Sequence, residues 1–178
     1  MTLNDILVSA LAQLDRGHDA QTMEIFRARL TGFANDAQDD LAEAVCLRKS
    51  EEKPTVNGIL VLSSLSRPCV KVLKTTQLAH EVRFMEDGAG RIALPYNTPV
   101  TVEYRYMPKR LVLPGDVSEL PEHTHPLMVS YIVGRERMGG DVSAQRGANI
   151  YLSMYEAAKS KLRAHVGGLD SYLITNRY

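Results

Sequence analysis

At 178 residues the chain has the length of one ordinary domain, or of one domain carrying an insertion. A composition 44% hydrophobic and 24% charged excludes a disordered chain, and 21 Lys+Arg against 21 Asp+Glu exclude an affinity resting on an overall basic surface. Cys46 and Cys69 share no metal-type spacing and read as reduced cytosolic thiols, while the opening residues lack the basic and apolar regions of a signal peptide.

The first element is a helix. Thr2 and Asp5 stand three apart as a capping box, and Ile6, Leu7, Ala10, Leu11 and Leu14 recur at helical spacing up to a stop near Gly17. Asp19 or Thr22 can cap the next helix. There Met23, Phe26, Leu30, Phe33, Ala37, Leu41 and Ala44 form an apolar seam that runs to an end near Ser50. Cys46 on this helix reads as a packed small hydrophobe. A polar linker over 49–54 closes on Pro54, so residues 1–53 read as the first helical part of a bundle.

Residues 54–107 change grammar. They are β-branched and turn-rich, with strand candidates at Ile59–Leu65, Cys69–Lys74, Val82–Met85 and Val100–Tyr106. The last alternates Val100, Val102, Tyr104 and Tyr106 with Thr101, Glu103 and Arg105. Asp87-Gly88 and Gly90 mark a tight turn between Met85 and Ile92. One small antiparallel sheet inserted into a helical frame is expected.

Residues 108–165 return to helix as a hairpin joined at Gly139-Gly140. Leu127, Met128, Tyr131, Ile132 and Met138 stripe its first helix, which starts around Pro121 or Pro126. Asp141 stands as the N-cap of the second, whose face carries Ala144, Ala148, Tyr151, Tyr155, Ala158 and Leu162. Lys159, Lys161, Arg163 and His165 meet the negative pole at its end, and Gly167-Gly168 is read as its break. Residues 166–178 then form an apolar arm. Leu169, Tyr172, Leu173, Ile174 and Tyr178 pack back on the core or lie on a neighbour, with the neighbour favoured.

Candidate chemistry is sparse. Glu122-His123-Thr124-His125, with Asp116 or Glu119, is the one cluster of metal-type ligands, and its spacing matches no zinc pattern. No nucleophile elbow, phosphate loop or metalloprotease signature occurs, so no cofactor or bound metal is expected. Asp36, Asp39, Asp40 and Glu43 share one helix face. The plain reading is a solvated face. The sharper one pairs them with Arg135 and Arg137, or turns them toward a negatively charged polymer.

Leu120–Tyr131, LPEHTHPLMVSY, resembles the signature of tailed-phage head-to-tail connector (adaptor) proteins. Pro121, Glu122, His125, Leu127, Met128, Val129 and Tyr131 carry the likeness, which extends loosely through Asp141 and the Tyr/Ala-rich last helix. Thr124 replaces a usual aromatic and Pro126 interrupts the motif. The opening helices with the Phe33–Leu41 stretch also resemble the family, and a β insertion ending in a strand like Val100–Tyr106 is similar to podovirus-type adaptors.

The resemblance implies a virion structural protein without catalysis. About a dozen copies would form a ring below the portal, extend the DNA channel and present a platform for the tail or nozzle protein. Double-stranded DNA would pass without specific binding, and no membrane is involved. The arm would reach portal or neighbour, and the acidic stripe would face the channel or another helix. The competing readings are a tail-completion or terminator protein of the same virion, a small metal-dependent enzyme using His123 and His125, and a monomeric helical binding module.

Overall fold

A computed structural model describes residues 1–17, 19–140 and 142–170, with side chains described except at 142–144, 146 and 163–170. The architecture is α+β. Among the described residues the helices are α1 (Leu3–Gln13), α2 (Ala20–Val45), α3 (His125–Met138) and α4 (Val142–Asp170). The strands are β1 (Arg48–Lys53), β2 (Ile59–Val61), β3 (Cys69–Gln77), β4 (His80–Val82), β5 (Met85–Glu86), β6 (Arg91–Ala93) and β7 (Val100–Tyr106). They divide into a helical unit, Met1–Val45 with the chain from Pro108 onward, and a β unit, Cys46–Met107. None of the described helices is long and apolar enough to cross a membrane.

The helical unit starts with the expected capping box. The Thr2 hydroxyl accepts from the Asp5 amide at 3.2 Å and the Asp5 carboxylate accepts from the Thr2 amide at 2.9 Å. Such a cap stabilises a helix by about 1 kcal/mol. The helix ends at Gln13, before Gly17. Asp15 takes the left-handed conformation (φ 55°), and the amides of Asp15 and Arg16 return to the carbonyls of Ala12 and Leu11. Asp19 caps α2: its carboxylate accepts from the amides of Gln21 and Thr22 at 3.1 Å each.

Leu3, Ile6, Leu7 and Leu11 of α1, Leu30 and Leu41 of α2, and Met128, Ile132 and Val133 of α3 make the buried core, joined by Ala148 and Tyr155 of α4. Each buried large apolar side chain contributes about 2 kcal/mol. Phe26 and Phe33, expected on the apolar seam, are only half-buried, and Met138 is exposed. At Gly134 an added Cβ would lie 2.8 Å from Leu152, so this glycine permits the close crossing of α3 and α4.

Buried amides on α2 tie down the segment after Pro108. Asn35 exchanges two hydrogen bonds with the Leu111 backbone, at 2.8 and 2.9 Å, as a paired strand would. Gln38 donates to the Lys109 carbonyl at 3.0 Å and accepts from the Ser118 hydroxyl at 2.9 Å. The Asp116 carboxylate receives the amides of Val112 and Leu113, and the carbonyls of Pro114 and Asp116 accept the first free amides of α1.

Two sheets replace the single one expected. One is four-stranded in the order β1-β7-β3-β4 and the other three-stranded in the order β2-β6-β5, and all their pairs are antiparallel. Val100, Val102 and Tyr104 point inward as their alternation predicts, onto Leu60, Leu65, Val72 and Ile92. The β5–β6 hairpin turns at Asp87–Gly90, with Gly88 and Gly90 at positive φ, as the sequence suggests.

Several expected boundaries move. α2 stops at Val45 because Cys46 turns left-handed (φ 56°), and residues 48–53 form β1 where a polar linker was expected. Charged residues suit an edge strand, and β1 pairs on one side alone, from Arg48↔Arg105 to Lys53↔Val100. The insertion therefore begins at Cys46, before Pro54. Ile59–Leu65 is strand only to Val61, where a 3-10 turn over Leu62–Ser64 takes over and the Ser64 hydroxyl donates to the Val61 carbonyl. Val82–Met85 divides, since β4 pairs with β3 and β5 pairs with β6.

α4 passes through Gly167-Gly168 to Asp170. A helical glycine costs about 1 kcal/mol against alanine, which weakens a helix without forbidding it. Residues 166–170 are thus helical and not part of an arm. Tyr172, Leu173, Ile174 and Tyr178, the Asp141 cap, and the side chains of Leu169, Ala144, Arg163 and His165 lie outside the described residues.

Candidate functional site

The connector-like segment opens α3 through a 3-10 turn, Glu122–Thr124, followed by Pro126 in the first turn of the helix proper. His125 is 3% exposed. Its Nε2 lies 3.1 Å from the Leu120 carbonyl, which can only accept, so Nε2 carries the proton. Nδ1 is then left to accept from the Met1 α-amino group at 3.2 Å. Burial, seconded by the positive α-amino group, pushes the His125 pKa below its usual value and keeps the ring neutral. Both ring nitrogens are thus occupied in fixing the helix entrance. His123 is exposed, and among the described residues no three His, Cys, Asp or Glu side chains converge.

The acidic stripe does not act as a unit. Asp36 and Glu43 are exposed, whereas Asp39 lies 3.9 Å from Arg110 and is pushed up by burial against that cation's pull. Asp40 turns toward α4, accepting from the Tyr155 hydroxyl at 2.5 Å and from Lys159 at 2.7 Å. Lys159 is 7% exposed and also reaches Glu156 at 2.9 Å. Burial disfavours its charge, but the hydrogen bonds of both carboxylates outweigh burial and raise its pKa. The Tyr155 hydroxyl is driven well above the usual phenol value by burial and by Asp40. Tyr131 packs on Tyr155 with ring centroids 5.1 Å apart.

Arg135 and Arg137, the proposed partners of the stripe, go elsewhere. Arg135 lies over Phe33 and Tyr131, at 5.5 and 5.9 Å from their ring centres. Arg137 lies over Tyr151 and donates to the Gln13 carbonyl at 3.1 Å. Beside them Arg16, just past α1, and Arg29 of α2 both stack on Phe26, at 4.2 and 5.3 Å. Both also reach one oxygen of Glu136, at 2.9 and 2.6 Å, and the Glu136 side chain is 5% exposed. The half-burial of Phe26 and Phe33 follows: their rings serve as platforms for guanidinium groups.

Between these arginines and the Gly139-Gly140 turn lies a concavity of about 310 Å³. Its one sequence signal is arginine placed three or four residues from an aromatic, at Arg29/Phe26, Arg29/Phe33 and Arg135/Tyr131. That spacing alone says nothing of Arg16 or of convergence across three elements.

The β unit holds a second polar centre. Glu51 of β1 accepts from Tyr104 at 2.7 Å, from the Ser66 hydroxyl, and from the Ser66 amide at 3.2 Å, with Lys49 and Lys53 within 3.3 Å. Burial pushes its carboxyl upward, but these donors win and hold it far below the usual range. A cavity of about 490 Å³ lined by Leu62, Ser66, Arg67 and Cys69 lies near Ser66. Burial raises the Cys69 thiol pKa, which makes it a poor nucleophile at neutral pH.

Comparison of the chain with protein-family models finds no match, and comparison with curated proteins finds none either.

Proposed function

We propose that the chain is a virion structural protein, a subunit of the head-to-tail connector ring that sits below the portal of a tailed phage. The observation that carries this reading is the opening of α3. Pro121 and Glu122 lead into the 3-10 turn, His125 locks the helix entrance, Met128 and Val129 enter the core, and Tyr131 packs on Tyr155. His125, Met128, Val129 and Tyr131, four of the residues carrying the resemblance, thus hold the entrance of α3 and its packing. The β unit lies between α2 and α3, where the resemblance expects an insertion.

On this reading about a dozen copies surround the DNA channel and present a platform to the tail. Their work is interface formation, and the site is the virion head–tail junction after synthesis in the host cytoplasm. Exposed apolar side chains at Val112, Leu113 and Val117, with Ile150 and Met154 on α4, supply surface for such contacts.

Negative-stain electron microscopy of the purified chain mixed with the portal of the same virion tests the reading. A collar of added density on the portal, with rotational symmetry near twelve-fold, is the expected image. A chain that stays monomeric and leaves the portal bare would overturn it.

A further inference from the structure

We propose that the concavity bounded by Arg16, Arg29, Phe33, Arg135, Glu136 and the Gly139-Gly140 turn is a binding site for a phosphate group. Its described lining includes three arginines and one carboxylate. The three cations come from the end of α1, from α2 and from α3, so the fold assembles the charge and no single helix face does. Glu136 offers the same oxygen, Oε1, to Arg16 and Arg29. Each guanidinium has five N–H donors. Among the described residues no second acceptor meets Arg16 or Arg29, and no carboxylate meets Arg135.

The imbalance selects the ligand. The described lining residues carry a net charge near +2, which matches the charge of about −1.5 to −2 on a phosphate at neutral pH. Three oxygens of a tetrahedral anion can serve three forks approaching from different directions, whereas a carboxylate serves one fork bidentately in a plane. The stacking of Arg16 and Arg29 on Phe26 and of Arg135 on Phe33 orients the planar groups before any anion arrives, which lowers the ordering cost of binding. Phe33 adds an apolar wall that can meet the organic body of a phosphate ester. The match is to a free phosphate or a phosphate monoester of a small metabolite, since a nucleic-acid backbone diester carries one negative charge and two free oxygens. The inference stands independently of the connector reading.

Isothermal titration of the full chain with inorganic phosphate, at constant ionic strength set by chloride, tests it. One phosphate is expected to bind per chain. Arg135→Ala should weaken binding by about tenfold or more, and Arg110→Ala, a cation outside the concavity, should leave it unchanged. Glu136→Gln removes the internal competitor and should strengthen binding by a few-fold, a sign that a merely structural cluster does not produce. Arg135 is exposed, so its variant retains the fold, which circular dichroism checks. A short duplex DNA that displaces phosphate from the wild type and not from Arg135→Ala would overturn the selection of a dianionic monoester. Displacement by a nucleoside monophosphate and not by duplex would identify a small ester. No binding above the chloride background, or equal affinity in wild type and Arg135→Ala, would overturn the site.

Discussion

Each of the two units buries a tyrosine ring and ends it on a carboxylate that also holds lysine, yet the two devices differ in depth. In the helical unit Tyr155 and Lys159 meet Asp40, and it is the cation that is buried, with 8% of its side chain exposed. In the β unit Tyr104 meets Glu51. There the carboxylate is sheltered, at 12% exposure, while Lys49 and Lys53 keep 40% and 27% of their side chains in water. A sheltered anion with wet cations tolerates change, because the lysines can turn to solvent. A buried cation cannot, so the same set of groups is costlier to disturb in the helices.

The largest expected effect follows from that difference. Asp40→Ala leaves the Lys159 ammonium with Glu156 alone and should cost about 3 kcal/mol, read from urea unfolding followed by far-ultraviolet circular dichroism. Glu51→Ala should cost about half as much, roughly 1.5 kcal/mol, because its lysine partners rehydrate. A larger loss at Glu51 than at Asp40 would reverse the comparison.

Acid offers a gentler way to separate the units. His125 has a lowered pKa, so its contribution is complete above 6.5 and is lost as the pH falls through its lower folded value. Glu51 is also lowered, and its contribution persists down to 4.5 before declining toward a much lower folded value. Between pH 6.5 and 4.5, amide protection factors, taken relative to the intrinsic exchange rate at each pH, should therefore fall at the start of α3 and hold in β7. Simultaneous loss in both would contradict this.

The smallest effects sharpen the parallel. Tyr104→Phe and Tyr155→Phe each delete one charge-assisted hydrogen bond and should cost about 1 kcal/mol in thermal melts. Burial raises the Tyr104 hydroxyl to about 12, so its share of stability is lost as the pH climbs from 10 through that value.

Local signals carried much of this fold. The Thr2–Asp5 box, the Asp87-Gly88 turn and the alternation of β7 each depend on neighbours within a few residues, and each appears where the sequence puts it. β1 was illegible because RKSEEK becomes a strand through a distant partner, β7, about fifty residues on. The role of His125 depends on Met1, and the arginine cluster depends on α1, α2 and α3 meeting. Phe26 and Phe33 mislead for the same reason, since an aromatic on an apolar seam reads as core until the cation above it is known.

The pairing of β1 with β7 also bears on the order of folding. The helical unit is discontinuous, and closing a loop of roughly sixty residues between its halves would cost a flexible chain about 4 kcal/mol in entropy. The β unit is continuous in sequence and can close first. Once it has, the Tyr106 amide donates to the Leu47 carbonyl at 3.2 Å, one rung beyond Arg48↔Arg105. Its entry and exit strands then hold the chain ends side by side. An insertion that closes first would thus act as a clasp, shortening the loop that α3 must close to reach α1 and α2.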